Sequence, residues 1–118
     1  LEYLAYYDEL TSLPNRSLFI ENLKQSLHQA KRNQSLLGVL FIDLDRFKNI
    51  NDNYGHNIGD LYLQEISDEL KFIFRETDVI GRWGGEEFLI LLPKTSVETT
   101  KEIAERLTAE ASGDQSFT

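Results

Sequence analysis

The chain contains no cysteine. That excludes disulfides, thiolate zinc sites and cysteine nucleophiles, and it is compatible with a reducing cytoplasm. Methionine is also absent, even at the first position, so a sequence opening Leu1-Glu2-Tyr3 reads as excised from a longer protein. Any sensor or membrane segment of that parent would lie outside it. Histidine is scarce, at two residues, and neither has a hydroxyl partner from which to build a nucleophilic triad. Basic residues are few: 12 Lys and Arg against 20 Asp and Glu give a net charge of −8. Nucleic acid held through its phosphates needs a basic surface that displaces counterions, so no nucleic-acid partner is expected. A single nucleotide remains compatible if metal ions and main-chain amides neutralise it. No apolar run approaches the ~20 residues of a membrane span, and no signal peptide is visible, so membrane contact is expected only through other parts of the parent.

What is present suits one globular domain: 118 residues, 41% apolar and 27% charged. Leu1 to Tyr7 reads as the end of a helix entering from upstream. Asp8-Glu9-Leu10-Thr11-Ser12-Leu13-Pro14-Asn15-Arg16 carries turn chemistry, with Asn15 a helix N-cap. Phe19, Leu23, Leu27 and Ala30 then recur at helical spacing. Leu36 to Leu44 is nearly continuous in apolar residues, the pattern of a strand buried on both faces. Arg46 to Tyr54 is a short helical turn broken at Gly55, His56 lies in the loop after it, and a longer helix runs to Phe74. Ile58, Leu61, Ile66, Leu70 and Ile73 are its expected inward face. Asp78 to Trp83 and Glu86 to Leu92 form hairpin arms, closed by Pro93. Thr95 and Glu98 fit a capping box that opens a helix through Val97, Ala104, Leu107 and Ala111. Ser112 to Thr118 is polar and is expected to fray. The resulting class is α/β: a sandwich of helices on a mixed sheet, with a βαββα core that lacks a final strand.

Chemistry concentrates in a few places. Gly84-Gly85-Glu86-Glu87-Phe88 reads as a tight hairpin whose glycines take positive φ, with two acids at its tip. Such a tip suits a divalent metal and a triphosphate; a solvated turn with exposed acids is the alternative. Asp43 and Asp45 lie at the carboxyl end of the apolar strand, where open α/β sheets place ligands. Their hard oxygens suit Mg²⁺, which leaves room for phosphate oxygens; capping of the next turn is the plainer role. Phe47-Lys48-Asn49-Ile50-Asn51-Asp52 follows, and its amides and Lys48 can hold a phosphate, although no Walker-type glycine pattern is present. Asn51 and Asp60 can together read a guanine edge, or serve as a helix cap and a first-turn acid. A lone His56 is more often a structural hydrogen-bonder than a catalyst. Arg75 and Asp78 straddle the turn before the hairpin, either gripping a ligand or acting as helix-end cation and turn former.

In combination these segments resemble the GGDEF-domain family of bacterial diguanylate cyclases, here in a GGEEF form. The resemblance rests on Asp8 to Arg16, Asp43 to Asp52, Gly55-His56-Asn57-Ile58-Gly59-Asp60 and Arg82-Trp83-Gly84-Gly85-Glu86-Glu87-Phe88, in matching order over nearly the whole chain. It implies a nucleotide-cyclase, palm-like fold for residues 1–118. It also implies a reaction in which two GTP molecules condense to cyclic di-GMP and two pyrophosphates on a homodimer. By the same resemblance Asp43, the Leu44 carbonyl and Glu86 bind Mg²⁺ or Mn²⁺, and Asn51 and Asp60 read guanine beside His56. Phe47 and Lys48 hold phosphates, Lys48 offsetting transition-state charge, while Glu86 or Glu87 helps deprotonate the 3′-hydroxyl. Arg75 and Asp78 match an inhibitory RxxD site for the product, with Arg106 joining from the next helix; a module that binds GTP or cyclic di-GMP without turnover is the second reading. The family's further strand and C-terminal helix, bearing a Lys and an Arg for the triphosphate, are not in this sequence. The fragment is therefore expected to be a weak enzyme and to oligomerise through the edge bared beside Leu36 to Leu44, which a monomeric light-scattering mass would contradict.

Overall fold

The apolar run Phe88 to Leu92 forms the middle of the sheet. The structure is a computed structural model that describes residues 2–114, with side chains described for residues 3–108. The elements follow the order α1 (Glu2–Tyr6), α2 (Arg16–Asn33), β1 (Leu37–Asp43), α3 (Phe47–Tyr54), α4 (His56–Ile73), β2 (Val79–Arg82), β3 (Glu87–Pro93) and α5 (Val97–Asp114). The strands make a three-stranded sheet in the order β1-β3-β2. The expected α/β class and βαββα order are present, and both pairings among the described strands are antiparallel. No helix of the described residues is long and apolar enough to cross a membrane.

Register assigns the faces. Leu40, Ile90 and Ile80 lie abreast, as do Ile42, Phe88 and Arg82. This face packs on Leu63 and Leu70 of α4 and on Leu13, with Ile103, Ala104 and Leu107 of α5 closing the cluster. Gly38 lets α5 approach, since a Cβ there would collide with the Thr100 hydroxyl. On the opposite face Phe19 of α2 sits on Gly81, where a Cβ would lie 2.5 Å from its ring. Only β3 is central and buried on both sides: Phe88, Ile90, Leu91 and Leu92 are all fully buried.

Several expectations need correction. Leu36 to Leu44 is not a strand buried on both faces; β1 is an edge strand, and Val39 and Phe41 point outward, Phe41 with 56% exposure. The covering helix α2 sits towards β2, so β1 is covered on one side only. The bare edge expected there is present among the described strands. In α4 the buried face is Gly59, Leu63, Ser67 and Leu70, whereas Ile58, Leu61 and Ile73 are exposed. Small residues set that face: Gly59 receives Asn51, and the Ser67 hydroxyl donates to the Thr11 carbonyl at 3.5 Å. Leu27 is likewise exposed, although Asn15 does cap α2, its Oδ1 accepting the Leu18 amide at 3.0 Å. The cap of α5 is Ser96 rather than Thr95, its hydroxyl oxygen accepting the Thr99 amide at 3.0 Å. Thr95 is buried and donates to the Pro93 carbonyl. The Ala111 side chain and residues 115–118 of the terminus expected to fray lie outside the described residues.

This burial makes a graded prediction. Truncating Ile90 to Ala should cost about 2–5 kcal/mol, since it removes a fully enclosed side chain and leaves a cavity. Phe41→Ser on the open face should change stability by no more than about 1 kcal/mol. Denaturant unfolding of the two variants checks the ordering.

Candidate active site

The acids of β1 meet those of the hairpin through strand register. Asp43 pairs with Glu87 at the end of the β1–β3 ladder. One residue further out the Leu44 amide donates to the Glu86 carbonyl at 3.1 Å, so pairing continues beyond the last strand residue. The Leu44 carbonyl accepts the Phe47 amide at 3.3 Å, which opens α3 and leaves that oxygen one lone pair. Asp43, Leu44, Glu86 and Glu87 therefore share one end of the sheet, with α3 beginning beside them. Asp43 is exposed and the two glutamates are half-buried.

All the donors here are hard oxygens. Among the described residues no three carboxylate or imidazole side chains converge. Two carboxylates and a carbonyl form a partial shell, which fits Mg²⁺ because that ion usually keeps substrate phosphates and water as its remaining ligands. The start of α3 suits an anion: no side chain caps it and no acid stands in its first turn, so apart from the Phe47 amide, held by the Leu44 carbonyl, its first amides and the positive end of its dipole face no side-chain cap. Lys48 is exposed in that turn.

Asn51, on α3, turns back onto Gly59, where a Cβ would collide with its amide group. This sets Asn51 next to exposed Asp60. The Asn51 Oδ1 is buried and has no hydrogen-bond partner in the structure, which is costly for an acceptor unless water or a ligand meets it. His56 is exposed and is the first residue of α4 rather than part of a loop, and Asp60 lies beyond the first turn. Gly55, at φ 90°, takes the whole break between α3 and α4, a conformation that disfavours any side chain.

Arg75 and Asp78 lie at the other end of β2, away from the hairpin tip. The Arg75 guanidinium donates through Nε and Nη2 to Asp78, and its Nη2 also reaches the Pro93 carbonyl and the Thr95 hydroxyl, each at 3.1 Å. The Asp78 side chain is 2% exposed and that of Arg75 54%. Hydrogen bonding to Asp78 holds the guanidinium above its ordinary value, against a smaller opposing effect of burial. Arg106 is exposed on α5.

A profile described as "Diguanylate cyclase, GGDEF domain" matches residues 5–115. The chain belongs to the GGDEF domain family. Diguanylate cyclase DgcP of Pseudomonas aeruginosa is 45% identical over 105 residues, covering 89% of this chain and 16% of that protein. The bifunctional diguanylate cyclase/cyclic di-GMP phosphodiesterase MucR of the same species is 43% identical over 104 residues, 88% of this chain and 15% of MucR. The chain thus spans about one-sixth of these relatives. Among solved structures, the GGDEF domain of DgcB from Caulobacter crescentus, in complex with c-di-GMP, superposes with a TM-score of 0.82 at 27% identity, over 90% of this chain and 60% of that one. The GGDEF domain of TpbB from P. aeruginosa superposes with a TM-score of 0.75 at 44% identity, over 79% of this chain and 54% of that one.

The GGDEF hairpin itself is built differently from the expected tight turn. Its loop is Trp83 to Glu86, and neither Gly84 nor Gly85 has a positive φ. The Trp83 and Gly84 amides converge on the Glu87 carbonyl at 2.8 and 3.3 Å. Gly84 leaves room for the Glu87 carboxylate, which folds against it where a Cβ would stand. Residues outside the expected site hold this loop. Arg82 donates to the carbonyls of Gly84 and Gly85 and to Asp8. Arg16 donates to the Trp83 carbonyl at 3.1 and 3.3 Å and stacks 4.4 Å from the centre of the Trp83 ring. In the sequence these residues stand in the first and last of the family's motifs, but nothing in either segment alone says that they touch.

Asp8 is partly buried, which by itself would raise its carboxyl. Hydrogen bonds from the Thr11 hydroxyl and amide and from Arg82 outweigh this and hold it below the ordinary carboxylate value. A carboxyl depressed in the folded state adds stability above its unfolded value, and that stability is lost as pH falls through the folded value. Asp8 should therefore stabilise fully above about pH 5 and progressively less below about pH 4. Asp8→Asn should flatten that part of the acid limb in denaturant midpoints measured from about pH 7 to about pH 2.5; an unchanged difference between parent and variant across this range would refute the assignment.

Proposed function

We propose that this domain joins two GTP molecules into cyclic di-GMP, as one half of a homodimer in which each domain holds one GTP. The observation that carries the reading is the β1–β3 register, which sets Asp43 opposite Glu87 and bonds Leu44 to Glu86 beside an uncapped helix start. Support also comes from the diguanylate cyclases among its relatives and from the c-di-GMP held by the GGDEF domain of DgcB.

In each half-reaction the 3′-oxygen of one GTP forms a bond to the α-phosphorus of the other. The bond from that phosphorus to the bridging oxygen of pyrophosphate breaks, and pyrophosphate leaves. The hydroxyl proton passes to a carboxylate of the pair Glu86 and Glu87. Asp43, the Leu44 carbonyl and Glu86 would hold Mg²⁺ or Mn²⁺. That ion, when bound, neutralises phosphate charge and eases ionisation of the hydroxyl. Lys48 and the amides of the first turn of α3, which Phe47 opens, receive phosphate oxygens, and Lys48 meets the charge that grows in the transition state. The Asn51 amide meets O6 or N3 of guanine, while Asp60 accepts from its N1–H and amino group, with His56 as a further residue of this pocket. Feedback by the product at Arg75 and Asp78 belongs to the same proposal. Buried Asp78 orients Arg75, whose exposed guanidinium meets the ligand, with Arg106 as a second cation.

Product analysis by mass spectrometry tests this in the natural full-length protein, with GTP and Mg²⁺ supplied. The parent should yield cyclic di-GMP, and Glu86→Ala at least about 100-fold less, the scale expected when a group that stabilises developing charge is removed. GTP binding without product in the dimer would instead favour a receptor.

A further inference from the structure

Two consecutive glycines precede Glu86, and glycine has the widest backbone freedom of any residue. The loop also lacks the positive φ values that let a hairpin turn hold itself. Something else must fix the direction of the two acids.

The hydrogen bonds show what does so. The peptide unit entering Glu86 carries the Gly85 carbonyl, which accepts Arg82 Nη2 at 2.9 Å. The preceding unit carries the Gly84 carbonyl, which accepts Arg82 Nε at 3.2 Å. The unit leaving Glu86 is held from the other side, its carbonyl accepting the Leu44 amide. Both peptide planes that flank Glu86 are thus held, and with them the direction of its Cα–Cβ bond. The next carbonyl, of Glu87, is held by the Trp83 amide.

Arg82 is itself held. Its Nη1 donates to both Asp8 oxygens at 3.1 and 3.0 Å, and its own amide donates to the Pro14 carbonyl at 3.0 Å. Its side chain is 17% exposed and that of Asp8 22%. All three guanidinium nitrogens are engaged within the protein, so Arg82 is not placed to hold substrate. Only a planar fork can meet two carbonyls and a carboxylate together; a lysine ammonium is a single point. Asp8 follows α1 closely and is anchored by the Thr11 amide and hydroxyl at 2.9 and 2.7 Å.

We propose that Arg82 and Asp8 are positioning residues for the hairpin acids, transmitting the placement of the segment after α1 to Glu86 and Glu87. The inference rests on the reading of those acids as metal- and nucleotide-facing groups. Its test uses the full chain, with Arg82→Lys and Asp8→Asn as variants. Asp8→Asn is the milder change, because an amide oxygen can still accept from Thr11 while the charge facing Arg82 is lost. Two quantities are measured: amide hydrogen exchange, residue by residue, and the affinity for GTP with Mn²⁺ by calorimetry.

In both variants the Leu44 and Trp83 amides should exchange at least about tenfold faster, with Leu40 and Ile90 unchanged, the mark of local rather than global opening. Affinity for Mn²⁺ with GTP should fall about 10–100-fold, the usual cost of losing a group that orients metal ligands. Where turnover is followed in the natural protein, kcat should fall more than KM rises. Unchanged hairpin exchange, unchanged affinity, or equal acceleration of core and hairpin amides would each overturn the assignment. A parent that itself fails to bind Mn²⁺ with GTP would overturn the metal–nucleotide reading and this inference with it, and is told apart because no substitution is needed to see it.

Discussion

A carboxylate can serve a metal and a nucleotide only if it is held still, and this fold places its two acids after the most mobile dipeptide a chain can contain. The hold comes from main-chain carbonyls. Arg82 ties those of Gly84 and Gly85, Leu44 ties that of Glu86, and Trp83 ties that of Glu87. Glycine suits the loop because the Glu87 carboxylate occupies the space a Cβ at Gly84 would need. Space for the acid and rigidity of the loop are thereby supplied by different residues.

The rest of the molecule gives that hold something to rest on. Burial of β3 on both faces locks the register that brings Asp43 to Glu87. A slip of one residue would send every inward side chain to the wrong face, so the core protects the site geometry as well as the fold. The segment from Asp8 to Arg16 is the second support. It bonds to α1 through Asn15, to α4 through Gln64, Ser67 and Lys71, and to the hairpin through Asp8 and Arg16. A stretch that looks like a connector is a junction on which several elements converge.

Much of this is legible in the residues. The order of helices and strands, the cap at Asn15, the break at Gly55 and the acids at strand ends all follow from local chemistry that needs no partner. The departures share one cause: they turn on what lies opposite. Leu36 to Leu44 and Phe88 to Leu92 look alike as apolar runs, and only the pairing order makes one an edge and the other the centre. The buried face of α4 includes Gly59 and Ser67, which no hydrophobic pattern selects. Arg82 and Asp8 are 74 residues apart, and their contact exists only once the chain has folded. That Asp43 faces the hairpin acids from a neighbouring strand can be anticipated from the sequence, whereas the brace that aims Glu86 cannot.

If oxygens of Asp43, Leu44 and Glu86 form one metal and nucleotide site at the end of the β1–β3 ladder, a paramagnetic ion must settle there. Paramagnetic broadening tests this most directly: Mn²⁺ is added with GTP to the isotope-labelled chain and amide signals are followed. Signals of residues 43–44, 47–48 and 86–87 should broaden first, while those of Arg75 and Asp78 at the far end of β2 persist. Broadening centred elsewhere, or none at saturating GTP, would contradict the shared site.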